Sequence, residues 1–156
     1  MAPTPPDRST FLTVEEVIDR TRRYVQRAQG LLLQDLRERA ADDRTRLFLE
    51  EVEQQRSEFE AALDRSLRAA GESALRTPAQ YTVDPWEGEP TGPDGASVEE
   101  ATRWLLDLDH QLIETYQELA ERHESKPVRD FFSSVVDVVR GFDRRLSRGA
   151  QQAYDV

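Results

Sequence analysis

The chain has 156 residues, with 31 acidic against 21 basic side chains and a formal charge of -10 at neutral pH. One domain of this length takes roughly 70% of the unfolded chain's surface out of water and needs no staple. The charge disfavours nucleic acid and anionic membrane, and the absence of cysteine excludes disulfides, zinc ribbons and thiol chemistry and points to a reducing cytoplasm.

Met1 to Pro6 has neither the basic start nor the apolar middle of a signal peptide, so residues 1–12 are expected to be a disordered tail. All eight prolines lie before residue 7, between 78 and 93, or at 127. That leaves 13–70 and 98–126 open to helix. Thr13-Val-Glu-Glu16 and Ser97-Val-Glu-Glu100 each set a hydroxyl three residues before a glutamate, the capping-box spacing of a helix start. The first helix is expected over about 14–40. A turn at Ala41-Asp42-Asp43 leads to a second over about 44–70, ended by Gly71. Residues 72–96 carry four prolines and Gly88, Gly92 and Gly95, and read as an extended crossover anchored by Tyr81 and Trp86. The third helix is expected over about 98–123. Ser125-Lys126-Pro127 starts the fourth, over about 126–148, before Gly149 and a tail at 150–156. The whole of 13–149 forms one domain. Its longest apolar runs, Leu31 to Leu33 and Trp104 to Leu106, are far too short to span a bilayer.

The arginines at 20, 22, 23 and 27 have Glu15, Glu16 and Asp19 within two turns and read as a solvated, ion-paired face. His123 falls near the third helix's C-terminus, where a partly protonated imidazole meets favourable carbonyls. Paired acids such as Glu50/Glu51 and Glu99/Glu100 are what so acidic a chain contains by chance. Apolar periodicity gives stripes at Phe48/Val52/Phe59/Leu63 and Leu105/Leu108/Leu112/Tyr116. The last helix carries two, Phe131/Val135/Val138/Phe142 and Phe132/Val136/Val139. That is wider than one core face needs, so Trp104, Leu106, Phe132, Val136 and Val139 are candidate interface residues, to be covered by the crossover or by a second subunit.

The halves also match. Phe48, Val52, Phe59 and Leu63 fall 83 residues before Phe131, Val135, Phe142 and Leu146, and Gln34, Leu36, Glu38 and Arg39 fall 83 before Gln117, Leu119, Glu121 and Arg122. Two similar helix pairs, a long crossover and this aromatic spacing resemble the ferritin-like superfamily, nearest its rubrerythrin-like bundles. The resemblance implies an all-α antiparallel four-helix bundle. In the family each pair supplies a glutamate seven residues before a tyrosine, then a Glu-x-x-His, for two metal ions. The corresponding positions here are Gln26 (or Val25), Arg56, Phe59, Asp109, Val139 and Phe142. Asp109 alone, seven residues before Tyr116, keeps a carboxylate.

A metal-free bundle without cofactor is therefore expected. It would act through protein association in the cytoplasm, as a homodimer or with another protein. The alternative is an atypical metal-binding or oxidoreductase-type protein of the same superfamily, with a site at Asp109, Asp107 and His110, the last two at ligand spacing. A third reading has the crossover lid a small-molecule pocket with Trp86 as its wall. Asp109 shares the Leu105/Leu112/Tyr116 stripe, so its carboxylate should point inward and need a partner. An ion pair with Arg56 is expected, with Gln26 or Gln55 as further donor.

Overall fold

Helix α1 (Val14–Glu38) begins where the Thr13 spacing places it: Thr13 Oγ1 accepts from the Glu16 amide at 3.2 Å, and the Glu16 carboxylate accepts from the Thr13 amide at 3.3 Å. The computed structural model describes residues 12–39, 42–79, 86, 88–93 and 95–154. Its remaining helices are α2 (Asp43–Ala70), α3 (Glu72–Leu75), α4 (Val98–Arg122) and α5 (Lys126–Tyr154). Asp42 caps α2 through the Thr45 amide at 2.7 Å, and Ser97 caps α4 through the Glu100 amide at 3.1 Å. No helix among the described residues is long and apolar enough to cross a membrane.

Two expected boundaries are corrected. The crossover is not extended from its start, because Gly71, at φ 83°, ends α2 and begins the short α3. That left-handed conformation suits glycine alone without strain. Gly149 does not end α5, which continues to Tyr154. A helical glycine costs only about 1 kcal/mol relative to alanine, and Ala150, Gln151, Gln152 and Ala153 are good helix formers.

The four long helices share a core. As α1 is followed from Arg22 to Arg37, its ionic partners on α2 step back from Glu60 to Glu53. Along α4, His110 faces Asp143 of α5 while Gln117 faces Arg140. Helix α5 packs against α2, α3 and α4, which gives both of its apolar stripes a neighbour. Phe132, Val136 and Val139 are 0%, 4% and 1% exposed within the single chain, so they are core, whereas the crossover or a second subunit was expected to cover them. Phe132 is edge-on to Tyr116 and Phe131, with centroids 4.9 and 5.1 Å apart. Trp104 and Leu106 remain part-exposed.

The segment between α3 and α4 follows α1. Val14 donates to Thr77 O at 2.9 Å and Ala79 to Leu12 O at 2.8 Å. Trp86 meets Tyr24 edge-on at 5.3 Å, Glu89 meets Arg27 at 3.2 Å, and the Gly95 amide donates to Asp35 Oδ1 at 3.3 Å. Gly92 passes so close that a Cβ there would stand 2.9 Å from Leu31 Cβ. Trp86 is 3% exposed and its indole donates to Thr115 Oγ1 at 2.9 Å. Tyr81, the other expected anchor, lies outside the described residues.

His123 is an anchor too, and not a solvated imidazole at a helix end. It is 3% exposed. Its Nδ1 accepts from the Ser125 amide at 3.0 Å, so Nε2 carries the hydrogen donated to Pro78 O, also at 3.0 Å. One neutral ring thus ties the α4–α5 turn to the segment following α3.

Candidate functional site: a buried carboxyl pair

Of the positions that the superfamily resemblance singles out, Val25, Phe59, Asp109, Val139 and Phe142 converge, whereas Gln26 and Arg56 do not. Val25 and Gln29 from α1, Val52, Gln55 and Phe59 from α2, Leu105, Asp109 and Leu112 from α4, and Val139 and Phe142 from α5 line one enclosed cavity. They meet because each sits on the inward stripe of its helix, and Phe59 and Phe142, the matched aromatics, pack edge-on at 6.5 Å. The space left for the centre of a water molecule is about 10 Å³, about the least that holds one water. No organic ligand fits without movement of the helices.

Gln26 and Arg56 do not join this cavity. The Gln26 amide donates to Glu60 Oε1 at 2.8 Å, and Val25 takes its place at the lining. Arg56 is half-buried and forms no ion pair with Asp109 among the described residues. The expected Arg56–Asp109 pair is replaced by a different contact.

Asp109 is 9% exposed, with Asp143 of α5 near it. Burial pushes the Asp109 carboxyl well above the usual carboxylate range, and the hydrogen bond and charge of Asp143 push it the same way. Asp143 Oδ1 is buried and meets no N–H or O–H donor. On its other side Asp143 Oδ2 stands 3.7 Å from His110 Nε2, with the His110 side chain 68% and the Asp143 side chain 15% exposed. The array runs from the sealed cavity to a groove between α4 and α5 that His110, Glu114, Arg140 and Arg144 also line.

This array does not suit a metal. Among the described residues no three His, Asp or Glu side chains come together as ligands. Asp107 and His110 are exposed on α4. The residues present therefore do not fit the two-metal centre of the superfamily, nor the mononuclear site at Asp109, Asp107 and His110.

Two further buried polar contacts flank the cavity. Tyr116 OH donates to Thr21 Oγ1, which donates to Ile18 O at 3.0 Å. The phenol is fully buried, which pushes its pKa up. Beside it Thr115 accepts from Trp86 and donates to Gln111 O at 2.9 Å. The groove along Trp86, between Arg20, Arg23 and Arg27, is open, and Trp86 shows it almost no surface. The arginine face is ion-paired, but across elements: Arg22 binds Glu60 and Asp64, and Arg27 binds Glu89.

Asp143 is the residue that sequence reasoning missed. It lies 83 residues after Glu60, as Asp109 lies 83 after Gln26, so the internal repeat contained the signal. Comparison of the chain with protein-family models, curated proteins and solved structures finds no match.

Proposed function

We propose that this chain is a metal-free, ferritin-like antiparallel four-helix bundle of two similar helix pairs joined by a crossover, and that it acts in the cytoplasm through protein association, as a homodimer. The observation that carries the reading is the small cavity: where such bundles hold metal, ten side chains with one carboxyl, Asp109, leave space for about one water. Chemistry inside the bundle has no room, which leaves the surface to act. The stepping ion pairs of α1 with α2 and the facing pairs of α4 with α5 support the antiparallel arrangement. Contacts of the connecting segment along α1 from Thr13 to Asp35 support the crossover.

The surface reading rests on one end of the bundle. Leu31 and Leu47 are 43% and 66% exposed, the large apolar side chains that stand out among the described residues. They adjoin Leu32 and Phe48 of the smaller core cluster, on which the part-exposed Leu49, Trp104 and Leu106 also pack. Apolar exposure gathered at one end suits a partner surface. Sedimentation equilibrium at tens of micromolar tests this. The wild type should show a dimer mass and Leu47→Asp with Leu106→Asp a monomer mass. A monomeric wild type would overturn the homodimer.

A further inference from the structure

Three arginines of α1 stand at 20, 23 and 27, the i, i+3, i+7 spacing that puts them on one helix face. With Tyr24, Trp86 and Gly88 they line an open groove of about 410 Å³ between α1 and the segment that follows it. No acidic side chain is among the described residues of that lining, although the whole chain carries a formal charge of -10. The groove is a local basic site on an acidic molecule. We propose that it binds an extended acidic peptide segment of a partner protein, whose alternate carboxylates take successive arginines.

The steps from Arg20 to Arg23 and from Arg23 to Arg27 rise about 4.5 and about 6 Å along the helix axis. Alternate side chains of an extended strand lie about 6.6 Å apart, and the long arginine stems take up the difference. The groove is open and Trp86 shows it almost no surface, so it offers a track for a linear ligand and no deep wall for a compact one. Gly88, exposed and at φ 90°, sets no side chain across its far side. The row already takes one carboxylate from its own chain, because Glu89 accepts from Arg27 Nη1 at 3.2 Å, with side chains 84% and 53% exposed. So exposed a pair contributes little and yields to an incoming carboxylate. Arg23 gives its Nε hydrogen to Asp19 O at 3.4 Å and forms no ion pair among the described residues. Away from the groove the chain's negative charge repels the same partner, which directs it to this face. None of these residues belongs to the apolar end assigned to the homodimer, so the inference stands without that reading.

The test is fluorescence anisotropy with the full chain and two labelled peptides, one alternating Glu with Ser and one alternating Gln with Ser. At about 0.01 M salt, where surface charges are least screened, the Glu peptide should bind saturably with a Kd below about 1 mM, and the Gln peptide should not bind. Arg23→Gln with Arg27→Gln, both exposed on α1, should weaken binding about tenfold. Arg65→Gln with Arg68→Gln, which removes the same charge from exposed positions on α2, should leave it within about twofold. Glu89→Gln removes the internal competitor and should tighten binding about two- to fivefold. No saturable binding, equal losses in the two double variants, or no tightening in Glu89→Gln would each overturn the proposal. Pyrophosphate displacing the peptide at equal concentration would mark a small-anion site. Sedimentation showing that Arg23→Gln with Arg27→Gln dissociates the chain from itself would mark a second copy as the occupant, and either result also overturns it.

Discussion

Trp86→Ala is expected to cost about 3–5 kcal/mol, the range for truncating a buried aromatic. The indole is 3% exposed, meets Tyr24 edge-on at 5.3 Å, and gives its N–H to Thr115 at 2.9 Å. Alanine removes both contacts and the ring's burial, and also leaves Thr115 Oγ1 without its donor. The loss falls first on the segment between α3 and α4, whose other described contacts with α1 are an exposed ion pair at Glu89 and single backbone bonds near its ends. Exposed ion pairs contribute little. Limited proteolysis should then cut faster between 76 and 96 while helix content by circular dichroism stays near the wild type. Unchanged cleavage would mean that Trp86 does not anchor the segment.

Phe132→Ala should be equally costly, about 3–5 kcal/mol, and it separates two roles for the wide apolar face of α5. The ring is 0% exposed inside one chain and is clasped by Tyr116 and Phe131. A core residue of this kind lowers the urea midpoint by the same amount at every protein concentration. An interface residue would instead shift the dissociation constant and make the midpoint concentration-dependent. Urea unfolding at two protein concentrations spanning a hundredfold distinguishes them, and the buried ring predicts no difference in the loss.

Much of this architecture was legible because it is encoded locally. Thr13, Asp42 and Ser97 accept helix-start amides as their spacing requires. The matched phenylalanines were readable as core from periodicity, and Phe59 and Phe142 do meet. The apolar width of α5 was also visible, but its meaning was not. Whether a second stripe faces solvent depends on how many neighbours a helix has, and α5 has three. The same limit explains Arg56. Its place in the spacing pointed inward, yet which way a long side chain turns depends on the charges that tertiary packing brings near. Asp143 escaped notice because it sits beside Phe142 on no obvious stripe. Only comparison with Glu60 and its Gln26 donor marks that position as one where a carboxylate meets an inward-facing group.

That comparison also shows what distinguishes the two halves. Glu60 is supported by the Gln26 amide and by Arg22, so its charge is held by donors of fixed protonation. Asp143 has instead the Asp109 carboxyl, whose burial raises its pKa, as a neighbour, and His110 at 3.7 Å. The Asp109 carboxyl, raised above the usual carboxylate range by burial, stands at the position where the resemblance would place a metal ligand. The most direct measurement is the carboxyl ¹³C resonance of Asp109 in the full chain at neutral pH, assigned by its loss in Asp109→Asn. A protonated carboxyl is predicted there, moving to the carboxylate position only as pH is raised further. A carboxylate signal at neutral pH that persists down to the ordinary Asp range would contradict the raised Asp109 pKa, and with it the proposal that this cavity has no place for metal.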